Sequence, residues 1–243
     1  MRHFFFIVVL LQGALALANS NDVQLTQLDN NQFHTLVREL GASITSATLS
    51  PPETLGHNGF SLVAEESNAY IKSTPLQTPL NIPSLHARKG LPFSFELGSR
   101  LAWITSSGMV AATFEAKWAL NEGYSYLPDI AVRGHITGLF GARDLNLGVG
   151  GADLSIGKKF AVAGMMTFTP YAGWDLNWVG GSASPSSGLD FSPVLARDNF
   201  YSRFYGGLRW IGGIAQLGLE ASYVPFSDIP SLFAFSVAAG FSF

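Results

Sequence analysis

The chain ends in F-A-F-S-V-A-A-G-F-S-F, residues 233–243. Phe233, Phe235, Val237, Ala239, Phe241 and Phe243 share one parity, and Ala234, Ser236, Ala238, Gly240 and Ser242 the other. Side chains alternate across a strand, so this segment carries large apolar groups on one face and small ones on its back. Any fold for the chain must give the first face an apolar environment and the second a crowded one.

Composition narrows what that environment is. Charged residues make up 13% of the chain, about half the roughly 25% of a globular domain. Yet no run of 18 apolar residues exists to form a spanning helix. Low charge, 26 glycines and 19 phenylalanines without a helical span fit a chain that spreads its apolar residues over alternate positions, as a barrel in lipid does. A Gly- and Phe-rich β-sandwich is the alternative. The 243 residues hold one good-sized domain, or a short module plus a barrel. A net charge of −3 gives no footing for nucleic acid, and the absence of cysteine excludes disulfides and thiolate metal sites.

Alternation recurs along the chain. A first strand is expected over 59–66, and 67–90, with its prolines, reads as a long loop. The clearest run then places Phe93, Phe95, Leu97, Leu101 and Trp103 outward, against Glu96 and Arg100. Next, Val110, Ala112, Phe114, Ala116 and Trp118 oppose Ala111, Thr113, Glu115 and Lys117. Over 129–140, Ile130, Val132, Ile136 and Phe140 oppose Asp129, Arg133, His135 and Thr137. The run 145–156 keeps its apolar face only with a change of phase at Gly150-Gly151, as a β-bulge would supply. Over 162–178, Met166, Phe168, Trp174, Leu176 and Trp178 oppose Thr167, Thr169, Tyr171, Asp175 and Asn177, with Pro170 suggesting a bulge or strand end. A Gly-Ser-Pro-rich loop, 180–198, follows. Then Phe200, Phe204, Leu208 and Trp210 oppose Tyr201, Arg203, Tyr205 and Arg209. After a turn at Gly212-Gly213, Leu217, Leu219 and Tyr223 oppose Gln216, Glu220 and Ser222.

Trp103, Trp118, Trp174, Trp178 and Trp210 all fall on the apolar parity, as a lipid-facing girdle requires. Twelve strand charges fall on the other: Glu65, Glu96, Arg100, Glu115, Lys117, Asp129, Arg133, Asp153, Asp175, Arg203, Arg209 and Glu220. Each Arg or Lys facing hydrocarbon near the midplane costs about 2–4 kcal/mol. A domain stable by about 5–15 kcal/mol could not offset so many. The charges line a lumen, where they must pair with one another. The same set, with His135, could also line a narrow polar path.

Upstream, Met1-Arg2-His3 and the apolar 4–11 precede Ala16-Leu17-Ala18, the pattern of a secretory signal peptide cleaved after Ala18. Within 19–58, Phe33, Leu36, Val37, Leu40 and Ile44 recur at intervals of three and four, which predicts a short helix over 30–46. Asp29 or Asn30 is its N-cap, and Pro51-Pro52 ends the region. Rest on the barrel mouth is the preferred placement; a plug inside the lumen is the other.

Together the export signal, alternating strands, girdle aromatics and terminal Phe resemble the bacterial outer-membrane β-barrel proteins over 59–243. That resemblance implies an all-β fold: a transmembrane up-and-down antiparallel β-barrel of eight to ten strands with a short N-terminal helix. The organisation expected is signal peptide 1–18, periplasmic N-terminal segment 19–58 and barrel 59–243, with Phe241 and Phe243 in the assembly signal. Nine strands are legible, and an even number is required. Dropping 59–66 leaves eight; adding 42–49 or 69–73 gives ten, the preferred count. Location in the bacterial outer membrane, contact with its lipid and with the barrel-assembly machinery also follow.

Function is less constrained, because one architecture hosts many roles. A structural or narrow-pore barrel for small solutes comes first. A surface module binding an extracellular ligand through 180–198 is second, and a membrane enzyme last. His34, His57 and His86 have no metal-ligand spacing, Glu65-Glu66 point to opposite faces, and the glycine pairs at 150 and 206 precede no helix. No cofactor, metal or catalytic set is expected.

Overall fold

A computed structural model describes residue 25 and residues 28–45, 47–71, 79–105, 107–142, 144–162, 166–183 and 190–243. The expected signal peptide, 1–18, lies outside the described residues. One helix, α1 (Asn30–Ile44), precedes strands β1 (Phe60–Tyr70), β2 (Leu80–Leu91), β3 (Phe95–Trp103), β4 (Val110–Asn121), β5 (Asp129–Phe140) and β6 (Leu145–Gly157). The short β7 (Phe160–Val162) then leads to β8 (Met166–Ala183), β9 (Phe200–Gly212), β10 (Ala215–Val224) and β11 (Leu232–Ser242).

Each strand pairs antiparallel with the next, β6 pairs directly with β8, and β11 returns to β1. The wall is therefore a closed barrel of ten strands, with β7 a short flap on the lower end of β8. Closure runs from Ser61 opposite Ser242 to Tyr70 opposite Phe233. Phe60 and Phe243 exchange backbone hydrogen bonds of 2.6 and 2.9 Å beyond it. The terminal alternating segment is thus the strand that leaves the sheet without an edge.

The tenth strand is β2, inside the stretch read as a loop, and neither 42–49 nor 69–73. Its lipid face offers Asn81, Pro83, Leu85, Ala87 and Lys89, too little apolar alternation to register, and Pro83 reads as a breaker. No bulge interrupts β6 either: its register runs unshifted through Gly150 and Gly151 against both neighbours. Leu145, Leu147 and Val149 instead point inward and are buried. The register shift present lies between Ala119 and Asn121, where β4 meets β5. Pro170 sits within β8 opposite Leu208, and Phe93 belongs to the β2–β3 turn, with φ 62°.

Outside, the wall is apolar and aromatic. Trp103, Trp118, Trp174 and Trp178 are exposed on it, and Trp210 is half-covered. Phe95 stacks on Trp118 across the β3–β4 pair at 5.6 Å. An exposed apolar face of this extent belongs against lipid.

The helix expected at the barrel mouth is inside it. Phe33, Leu36, Val37, Leu40 and Ile44 are fully buried, packed with Ile82, Ile104, Met109, Leu147, Val149 and Val179 from the wall. Asp29 caps the helix in a reciprocal capping box with Gln32. The apolar stripe has a simple reason to enter: each such side chain moved out of water gains about 1.5–3 kcal/mol.

Candidate functional site

The site is the lumen, and its content is the chain's own segment from α1 to β1. Below Ile44, Pro51-Pro52 forbid helix and cannot supply ladder N–H groups. The non-helical segment 47–58 must therefore find partners for its backbone on the wall. Glu220 accepts from the N–H of Thr48 at 3.0 Å, the N–H of Leu49 at 2.8 Å and the hydroxyl of Tyr171 at 3.0 Å. Lys117 donates to Ser50 Oγ at 2.9 Å, the Pro51 carbonyl at 3.2 Å and the Glu53 carbonyl at 3.1 Å. Glu96 accepts from the N–H of Leu55 at 3.0 Å, and Arg209 pairs with the Glu53 carboxylate. Arg133 and Arg203 both donate to Thr48 Oγ1, at 3.0 and 3.3 Å.

Most of the remaining charges pair across the wall. Glu65 accepts from Arg100 at 2.9 Å and lies 2.8 Å from His86 Nδ1. The other ring nitrogen of His86 lies 2.9 Å from Glu115, which also pairs with Arg133 at 2.7 Å. Arg133 continues to Asp153, itself accepting from the Tyr205 hydroxyl at 3.0 Å. Asp175 pairs with Arg203 at 3.1 Å and lies 3.3 Å from His135 Nε2. Lys117 and Glu96 are 3.0 Å apart. In such a confined space an unpaired charge would be strongly destabilising, so pairing is what permits so many.

All eleven lumen-lining candidates (Glu96, Arg100, Glu115, Lys117, Asp129, Arg133, His135, Asp175, Arg203, Arg209 and Glu220) are buried on the inward face. Ten join the lumen network; Asp129 lies at the rim and accepts from the N–H of Gly123 at 2.9 Å. Sequence reasoning missed His86 and Arg88, both on β2, together with Glu53 on the plug. Arg88 reaches the Leu49 carbonyl at 3.5 Å. Glu53 is buried although it follows the two prolines that end the helical region. The available signal for β2 was its inward set, Ser84, His86 and Arg88, rather than its outward one.

At the opposite rim, connections fold over α1. Phe33 stacks on Phe191 at 4.7 Å with 8° between the rings. Asn30 Oδ1 accepts from the N–H and hydroxyl of Ser192 at 2.9 and 2.8 Å. Arg38 pairs with Asp228 and lies over the Phe226 ring at 5.1 Å. The Arg38 guanidinium holds the Asp228 carboxyl below the usual carboxylate range.

The fold is that of a transmembrane β-barrel. No family model matches the chain, and no curated protein matches it. Solved structures similar to it are barrels of bacterial outer membranes. The KdgM porin in complex with disordered oligogalacturonate is 9% identical, covering 75% of this chain and 99% of its own, with TM-score 0.39. Ail, the attachment invasion locus protein of Yersinia pestis, in complex with sucrose octasulfate, is 10% identical over 77% of this chain and 99% of its own, with TM-score 0.32. The beta domain of the Bordetella autotransporter BrkA is 11% identical over 76% and 98%, with TM-score 0.47.

Proposed function

We propose that the protein is an integral outer-membrane barrel of the closed, structural kind, sealed by its own N-terminal segment. The observation that carries this reading is the dual filling of the lumen: an apolar helix in one half and a strapped non-helical chain in the other. A narrow solute path would need that segment to leave, and the wall is bonded to it at Ile44, Thr45, Thr48, Leu49, Ser50, Pro51, Glu53 and Leu55. We read it as a non-enzyme. His135 is buried, with its Nε2 3.3 Å from Asp175 and close against Gly151, so it is shielded from the exterior.

The experiment is single-channel recording in planar bilayers, on the mature chain and on a variant lacking 19–58. Silence from the full chain and steady channels from the variant are expected. Steady channels from the full chain would sink the closed reading and restore the transport one.

A further inference from the structure

We propose that the chain crosses the membrane an eleventh time, inside its own barrel, and so presents the N-terminal end of α1 on the cell exterior. The inference rests on the membrane-barrel reading above but not on whether the barrel conducts. It follows from the direction in which the plug runs. Phe60 and Phe243 are joined at one rim, which also carries the connections 92–94, 122–128, 158–165 and 213–214. The other rim carries the connections 71–79, 104–109, 141–144, 184–199 and 225–231.

From the Phe60 rim, the chain can be followed backwards by its partners. Gly59 accepts from the N–H of Gly90 at 2.9 Å, and Leu55 is held by Glu96 near the start of β3. Thr48 meets Glu220 and Arg133 at mid-wall. The Ile44 carbonyl is 3.5 Å from Arg100, and Gly41 lies against Val179 near the end of β8. Finally Arg38 reaches Asp228 and Asn30 reaches Ser192, both in connections of the far rim. The order is monotonic, so the segment is a full traverse and not a loop that returns. At its far end Asp29, Asn30, Asn31 and Gln32 are exposed, while Leu25 and Leu28 still pack on the apolar cluster at the mouth.

Sidedness comes from the connections. Membrane barrels keep short turns on the periplasmic side and long loops outside, and 184–199 is the longest connection here. The rim that holds Asn30 is therefore the outer one. This reverses the periplasmic position expected for the start of 19–58. It gives the barrel a second task, carrying the start of α1 to the surface and holding it there.

The chain has no cysteine, so single thiols report location cleanly. Ser20→Cys, Ser227→Cys and Ile214→Cys would be expressed separately in a Gram-negative host and treated with a membrane-impermeant maleimide, before and after outer-membrane permeabilisation. Ser227 marks the loop rim and Ile214 the turn rim. Labelling of Ser20→Cys and Ser227→Cys on intact cells, with Ile214→Cys gaining label only on permeabilisation, is expected. Ser20→Cys behaving like Ile214→Cys, or reacting in neither state, overturns the traverse. Both Ser20→Cys and Ser227→Cys waiting for permeabilisation overturns the assignment to the exterior. Should a thiol variant lose heat-modifiable gel mobility, an epitope inserted between residues 20 and 21 and shaved by protease from intact cells reads the same location.

Discussion

Between Asn30 and Ile44 the segment inside the barrel is held by apolar contact; between Thr45 and Leu55 it is held by charge. In the outer half, Phe33, Leu36, Val37 and Leu40 meet wall residues such as Ile104, Leu147 and Val179. In the inner half, backbone groups with no partner of their own meet Glu220, Lys117 and Glu96. A helix satisfies its own backbone, so the wall around it needs only to be apolar and shaped. A non-helical chain with two prolines does not, and the wall around it must supply donors and acceptors. The change of lumen chemistry along the barrel axis therefore matches the change of backbone conformation along the plug.

That contrast breaks most sharply on one side chain. Leu40→Asp would place a carboxylate within the buried apolar cluster, a cost of several kcal/mol. We expect α1 to leave the lumen and its amides to lose hydrogen-exchange protection, while heat-modifiable mobility persists. Phe33→Ala removes a fully buried ring stacked on Phe191, at about 3–5 kcal/mol. Partial loss of α1 protection is its expected signature, and a wild-type exchange pattern would show the helix held by something else.

In the inner half the expected losses are smaller and local. Glu220→Gln weakens the acceptor shared by Thr48 and Leu49, where a hydrogen bond to a charged group contributes about 1.5–3 kcal/mol. The amides of Thr48 and Leu49 should exchange faster while those of α1 do not. Equal loss in both halves would mean the plug docks as a single unit. The smallest effect belongs to the rim. Because the Asp228 carboxyl is held below its ordinary value by Arg38, the tie contributes above the ordinary carboxylate pKa and is lost as pH falls through the lowered one. Acidification below about pH 4 should loosen 225–231 over α1, measured by labelling of Ser227→Cys, and added salt should shrink the effect because the Asp228 side chain is exposed.

Much of this was legible in the chain. The wall's outward parity could be read nearly throughout, because lipid demands apolar groups there and hydrocarbon penalises charge. The inner polar lumen was legible for the same reason. What misled was the outer lumen. There the inward parity is apolar too, as in Leu145, Leu147 and Val149, so an outward apolar face for 145–156 demands a bulge at Gly150-Gly151 that the strand does not have. The same drift occurs in Ile82, Ile104, Ala111, Leu139 and Val179, always toward one rim. An inward face that turns apolar at one end of every strand marks an apolar occupant, and the amphipathic stripe of 30–44 was the one available. The partners in 45–58 could not be read, because backbone carbonyls and N–H groups have no sequence signature.

Whether α1 lies in the lumen beside β8 can be tested by a cross-link. A Cβ at position 41 would lie 3.3 Å from the Cβ of Val179, close to the roughly 3.5–4.5 Å separation of a disulfide. The double variant Gly41→Cys/Val179→Cys, in a chain otherwise without cysteine, should form an internal bond on oxidation in the folded, membrane-inserted state. It should then resist thiol reagents and change mobility only on reduction. Two thiols that remain free and react independently in the folded barrel would contradict a plug built from the chain's own N-terminal segment.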